Sequence, residues 1–364
     1  MAQQSARIRT ANSRKKAPKD PERVKTGGGV GLRDVARAAG VSTATVSRAI
    51  NRPEVVSEEL RTRITAVIDH LGWVPDAAAR ALSTRRSRAV GAVFPTLSHG
   101  DFARTANILQ SELLIEGYTL LLACSEYDPE QELRQVKKFV ERGVDGIVLV
   151  GNEHHPELQK FLDRQNVPSI NTFVYSKETH GRSIGPDNRK ALNDVTNYMI
   201  GLGHRRFGVI WQSTVNNDRA AERLAGVGDA LSAHGLTAWP YQMAKELASI
   251  SEARTLFRRV MSGSPRPTAV ICGNAYHAVG AELEALAMGL SIPRDVSIVG
   301  YDDIEIMTEL PVPITTVRVP SDKIGQRAAR YILGRIFGRQ EETQFECSPE
   351  IIFRASTAAP GAEK

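Results

Sequence analysis

Seven apolar runs recur over the last three quarters of this chain, and amphipathic segments separate them. The runs are AVGAVFPTL (89–97), YTLLLACS (118–125), DGIVLVG (145–151), PSINTFV (168–174), RFGVIWQ (206–212), TAVICGN (268–274) and SIVGYDD (297–303). Between them lie stretches such as ARTANILQSELLIEG and DRAAERLAGVGDALSAHG, with apolar residues at helical spacing. A strand that reads as a continuous apolar run is buried on both faces, as happens in a parallel sheet covered by helices. The alternation predicts an α/β body of two doubly wound parallel-sheet subdomains. A ligand in such a fold sits at the carboxyl ends of strands, in the crevice between the halves.

Residues 32–51, LRDVARAAGVSTATVSRAIN, follow a different rule. Leu32, Val35, Ala36 and Ala39 form one apolar helical stripe, and Gly40 stands where the chain must turn out of a helix. Ser42 supplies a hydroxyl N-cap for a second helix that buries Val46 and Ile50, with Ala49 flanking. Thr43, Ala44, Ser47 and Arg48 then point outward, and small polar residues with one Arg suit base edges in a major groove. Ser57, Glu58 and Glu59 open a third helix with the stripe Leu60, Ile64, Val67, Ile68 and Leu71, enough to close an all-α helix-turn-helix head. Beyond Trp73-Val74-Pro75, an Ala-rich segment from Asp76 to Ser83 predicts a short helix, too short to stand alone in water.

Charge divides the chain the same way. Residues 1–29 carry a net +6 and residues 30–90 a net +4, which leaves −4 for the rest of a chain whose total is +6. A basic head on a mildly acidic body is the footprint of a polyanion-binding module. The first 29 residues predict a disordered basic arm that adds salt-sensitive, sequence-independent attraction to DNA.

Other classes find little support. Cys124, Cys272 and Cys347 have no metal-ligand spacing and form no even disulfide set, which fits a reducing compartment. There is no run of 18 apolar residues and no signal-peptide pattern, so a cytoplasmic protein without membrane contact is expected. Gly27-Gly28-Gly29-Val30-Gly31 follows no strand and reads as linker, and His154-His155 reads as a solvated loop. Trp211 reads equally as core or pocket wall. No nucleophile-base arrangement, metal site or cofactor motif is present, so no enzyme and no cofactor are expected.

DVARAAGVSTATVSRAIN followed by GWVPDAAARAL resembles the lactose/galactose repressor (LacI/GalR) family of bacterial transcription regulators, and the likeness runs to about residue 357. The resemblance implies a periplasmic-binding-protein-like body whose chain crosses between halves near 190, 318 and 342. The organisation expected is an arm (1–29), a head (30–75) and a hinge helix with linker (76–88). An N-terminal effector subdomain (89–190 and 318–342), a C-terminal one (191–317 and 343–358) and a tail (359–364) complete it. The DNA-binding set it implies is Thr43, Ala44, Thr45, Ser47, Arg48 and Asn51 in the head, with Ala79 and a wedging Leu82 in the hinge. The effector set is His99, Asp101, Phe102, Asp187, Asn217, Arg219, Arg223, Asn274 and Asp302.

Two departures stand out. Asp76 follows the hinge Pro where the family usually has Asn, and Asn274-Ala275 replaces the Asn-Asp of many sugar-responsive members. His99 and the additional Arg219 tilt the pocket toward an anionic ligand such as a sugar acid. The expected function is an allosteric homodimeric regulator, a repressor by preference, that binds a pseudo-palindromic DNA operator under control of a sugar or sugar acid. The C-terminus RASTAAPGAEK lacks the leucine heptads that tetrameric members add. The alternative is a cytoplasmic small-molecule binding protein whose DNA head has lost its function.

Overall fold

The computed structural model describes residues 30–74, 86–175, 181–236, 241–244 and 249–361. The chain divides near Arg80 into a helical head and a larger body. The arm (1–29), the hinge helix expected at 76–83, and with it Ala79 and Leu82, lie outside the described residues.

In the head, α1 (Leu32–Ala38), α2 (Thr43–Asn51) and α3 (Glu58–Leu71) enclose Val35, Ala36, Ala39, Val46, Ala49 and Ile64. Gly40 has φ +65°, a left-handed value that an L side chain adopts at a cost, and the chain reverses there between α1 and α2. The Ser42 hydroxyl accepts the Thr45 N–H at 3.1 Å and starts α2. Ala49 is buried and Ile50 only half-buried, the reverse of the periodicity reading. Val46 and Ala49 are one turn apart, and a small residue at the second position lets the helices pack closely.

The body has two lobes, each built on a six-stranded sheet. The first holds β1 (Ala89–Phe94), β2 (Thr119–Cys124), β3 (Gly146–Val150), β4 (Ser169–Thr172), β5 (Ser183–Gly185) and β11 (Gln344–Glu346), in the order β11-β5-β4-β3-β1-β2. The second holds β6 (Phe207–Trp211), β7 (Tyr241–Met243), β8 (Ala269–Cys272), β9 (Ser297–Tyr301), β10 (Thr315–Arg318) and β12 (Glu350–Ile352), in the order β12-β10-β9-β8-β6-β7. Every pairing is parallel except that of β10 with β12.

All seven apolar runs became strands, and in all but the edge strand β2 the side chains are mostly covered on both faces. Ala92 and Val148 belong to one apolar cluster that runs through both lobes, while their neighbours Val93 and Ile147 lie in another. Successive strand residues point to opposite faces, so each buried Val or Ile contributes about 1.5–3 kcal/mol on its own side.

The chain passes between lobes after β5, after β10, and between Glu346 and Glu350. The third crossing falls later than the expected 342, because Gln344–Glu346 pairs with β5 and extends the first sheet. Three half-buried residues give no apolar run to read. Short loops at the crossings leave the strand ends of the two lobes facing one cleft.

Candidate effector site

A cavity lies in this cleft. The first lobe contributes His99 and Phe102 from the start of helix Gly100–Ile115, with Asp101 between them. The second contributes Asn217, Arg219 and Arg223 from the start of helix Asp218–Ala233, and Asp302 from the end of β9. These seven of the nine sequence-assigned effector residues line one space.

The other two do not line it. Asp187 is the N-cap of helix Asn188–Gly201, its carboxylate accepting the Lys190 N–H at 2.9 Å, and it lines a different depression. Asn188 takes the cavity position one residue later. Asn274 caps helix Ala275–Ala287 by accepting the His277 N–H at 2.9 Å, and its amide reaches Gln212, which does line the cavity. In both residues the side-chain oxygen meets an unpaired N–H of a helix start instead of a ligand.

Sequence reasoning missed Tyr127, Phe173, Asn188, Gln212 and Tyr301. Tyr127 and Phe173 follow strand ends in left-handed backbone, φ +62° and +61°, and no periodicity marks such positions. Phe173 meets Phe102 edge to face at 4.9 Å between centroids, which makes an aromatic wall. Trp211 is core, fully buried with Nε1 donating to the Ala220 carbonyl at 3.0 Å.

Arg223 is buried over the Tyr301 ring, 4.2 Å from its centroid. Its Nη1 donates to Asn188 Oδ1 at 3.1 Å, and Tyr301 Oη donates to the same oxygen at 3.3 Å. Burial pushes the Tyr301 phenol up, so it remains a donor. Arg223 Nε is buried with no protein acceptor, which leaves a guanidinium edge for a ligand.

The two carboxyl groups are shifted in opposite directions. Burial, and then the neighbouring charge of Asp302, drives Asp101 well above the usual carboxylate range, although Ser321 Oγ donates to its Oδ1 at 2.6 Å. Burial works on Asp302 in the same direction, but the neighbouring His99 and Asp101 side chains and the charge of Arg223 outweigh it and hold Asp302 low. His99 Nδ1 stands 3.9 Å from Asp302 Oδ2.

Arg219 is committed elsewhere: its Nη1 donates to Asp218 Oδ1 at 2.9 Å and to the Val150 carbonyl at 3.2 Å. The His154-His155 pair is not a solvated loop. His154 Nδ1 lies 2.8 Å from Glu132 Oε2 with both side chains largely buried, and His155 pairs with Glu130. Among the described residues, no group of three or more His, Cys, Asp or Glu could hold a metal ion. No helix among them is long and apolar enough to cross a membrane.

In the head, Thr43, Ala44 and Arg48 are exposed on α2, with Thr45, Ser47 and Asn51 half-buried beside them. Thr45 Oγ1 contacts Ser42 Oγ at 2.9 Å, and Asn51 Nδ2 donates to Ser47 Oγ at 3.3 Å. Arg48 thus projects from a face of short polar side chains.

Comparison with known proteins accounts for both parts. Residues 31–76 match the family described as "Bacterial regulatory proteins, lacI family", and residues 196–357 match "Periplasmic binding protein-like domain". The HTH-type transcriptional regulator GntR of Escherichia coli (strain K12) is 30% identical over 331 residues, 91% of this chain and 97% of GntR. The chain belongs to the LacI family of bacterial regulatory proteins. A LacI-family regulator from Silicibacter pomeroyi superposes with a TM-score of 0.82 at 24% identity, covering 90% of this chain and 99% of that one. A complex of the regulator CelR with cellobiose gives 0.64 at 26% identity, covering 90% and 100%. As a LacI-family member the chain is a transcriptional regulator with a helix-turn-helix head and an effector-binding body, and not an enzyme.

Proposed function

We propose that this regulator is a cytoplasmic, nucleoid-associated repressor that binds a pseudo-palindromic operator as a homodimer, and that a sugar or sugar acid in the cleft sets its operator affinity. The observation that carries the effector reading is the pairing of Arg223, with an unfilled guanidinium edge, and the charged Asp302 in one cavity walled by aromatic rings. A ring bearing several hydroxyls matches that set: Arg223 donates, Asp302 accepts, and Phe102 or Phe173 covers an apolar ring face. With Arg219 paired to Asp218, the charge of Arg223 is balanced by Asp302. This balance favours a neutral sugar over the sugar acid. The cellobiose bound by CelR supports the same class.

For DNA, the set Thr43, Ala44, Thr45, Ser47, Arg48 and Asn51 reads the major groove, with Ala79 and Leu82 acting at the centre of the site. Exposed Leu114, Ile115 and Leu122 give the first lobe an apolar face suited to a second copy. The test is a thermal-shift screen of the full chain against neutral sugars, sugar acids and nucleobases, followed by operator titration on the DNA upstream of its own coding region. A ligand at 100 times its Kd adds about 2.7 kcal/mol of stability. A shift with nucleobases alone would overturn the sugar reading, and operator binding insensitive to the sugar that shifts would overturn the regulatory one.

A further inference from the structure

Two sets of contacts cross the cleft, and they differ in kind. On one rim, Asp218 at the start of helix Asp218–Ala233 reaches the end of β3 in the other lobe. Its Oδ2 accepts the Asn152 N–H at 2.6 Å, while Oδ1 accepts the N–H and Nη1 of Arg219, both at 2.9 Å. Arg219 Nη1 also donates across the cleft to the Val150 carbonyl. Between those two partners sits Gly151, at φ +89°, where a Cβ would overlap Arg219 Nη1 and stand 2.6 Å from Asp218 Oδ1. The lobes therefore approach here as closely as bare backbone permits. Asn152 is itself braced from β4, since Asn171 Nδ2 donates to its Oδ1 at 3.0 Å.

Elsewhere on the cleft, Tyr276 Oη donates to the carbonyl of exposed Ser98 at 3.0 Å, and His99 meets the Tyr276 ring edge-on at 5.8 Å between centroids and stands 3.9 Å from Asp302. Charge-assisted bonds are shorter and roughly twice as strong as neutral ones, and of those here the Arg219–Val150 bond is buried while the Asp218–Asn152 bond is exposed. The two sets are thus unequal.

We propose that Asp218 and Arg219, fitted against Gly151, form a latch that holds the two lobes together without ligand. They are positioning residues of the cleft, and Arg219 is not a ligand contact. The latch carries the closure, and the Tyr276–Ser98 contact follows it. Its regulatory meaning rests on the cavity being the effector site, but the latch itself operates in the ligand-free protein.

The test measures the distance between spin labels on exposed Lys160→Cys, in the first lobe, and Ser232→Cys, in the second, in the full ligand-free chain carrying Cys124→Ser and diluted with unlabelled protein. Asp218→Ala and Gly151→Ala are expected to shift the distance distribution away from the parent and broaden it, and Tyr276→Phe to leave it unchanged. If Gly151→Ala fails to fold, Asp218→Ala decides alone, with circular dichroism confirming its fold. An unchanged distribution in folded Asp218→Ala overturns the latch. So does a shift in Tyr276→Phe as large as that in Asp218→Ala. Because no ligand is added, failure to find a sugar effector leaves this result standing.

Discussion

Arg354 holds Asp303 through both carboxylate oxygens, with Nη1 2.8 Å from Oδ1 and Nη2 donating to Oδ2 at 3.0 Å. Arg318, at the end of β10 just before the second crossing, joins from the other side, its Nε donating to the same Oδ2 at 2.8 Å. One carboxylate thereby ties the end of β9 to the segments beside two of the crossings. Its sequence neighbour Asp302 turns the other way, at φ +68°, into the cavity.

The pair can be separated by mutation. Asp303→Ala leaves the largely buried Arg354 without its carboxylate, a change expected to cost about 3 kcal/mol, the lower end for breaking a buried ion pair. Asp302→Asn keeps the shape of the site and is expected to cost much less, while weakening ligand binding. Chemical denaturation of both variants checks this, and equal losses would remove the division of roles.

That division also shows what the sequence could convey. Arg223 and Asp302 were legible because they sit in short, recognisable strings, RLAG and GYDD, at the ends of apolar runs. Asp187 was read one position away from Asn188, since Asp and Asn both serve as N-caps and only the geometry shows which side chain turns inward. Thr315–Arg318 is a largely buried strand that escaped notice because three of the four residues of its sequence, TTVR, are polar. Tyr241–Met243 and Glu350–Ile352 are three residues each, below the length at which alternation can be read. Tyr127 depends on left-handed turns at Glu126 and at itself, a tertiary outcome with no local signature.

His154 makes one prediction about pH. Burial alone would push it down, but its hydrogen bond with Glu132 and the charges of Glu132 and Asp218 outweigh that and raise it above the ordinary histidine value. The folded state therefore binds this proton more tightly than the unfolded chain. The added stability is full below the unfolded histidine pKa of about 6.5 and is lost as pH rises through the folded value. His154→Gln should differ most from wild type in thermal midpoint at about pH 5.5–6 and least well above about pH 7. A constant difference across that range would refute the charged pair.

At the DNA, Arg48→Ala is expected to cost roughly 1–3 kcal/mol at the best operator and to relax preference at one guanine in each half-site. Selection of binding sites by both proteins checks the position as well as the affinity. Mutant and wild type binding alike would remove Arg48 from the reading face.

Deleting residues 2–29 removes a net +6 from the chain. Affinity for operator and for random DNA is expected to fall by similar factors, because phosphate attraction is indifferent to sequence. The slope of log K against log salt should become shallower, by up to about 0.9 for each phosphate that the arm had neutralised. A selective loss of operator choice would instead mean that the segment reads bases.

The last prediction joins the cavity to the head. Arg223 meets Asn188 and Tyr301 in the protein, lines the space between the lobes and leaves its buried Nε without an acceptor. On the proposed function a ligand there changes how the lobes meet, and a tenfold change in operator affinity requires only about 1.4 kcal/mol of differential binding. Removing the guanidinium is expected to take away at least one charge-assisted bond to the ligand, about 1.5–3 kcal/mol, which matches or exceeds that coupling. Arg223→Ala should therefore lose the ligand-dependent change in operator affinity while operator binding without ligand persists. If the sugar releases DNA, the mutant stays bound where wild type dissociates; if it promotes binding, the mutant lacks only the enhancement. Operator titrations of both proteins, with and without the sugar that shifts the wild-type thermal midpoint, read either polarity. A mutant with the full response would show that the ligand is held without Arg223, and the cavity's recognition would then have to rest on Asp302 and the aromatic walls alone.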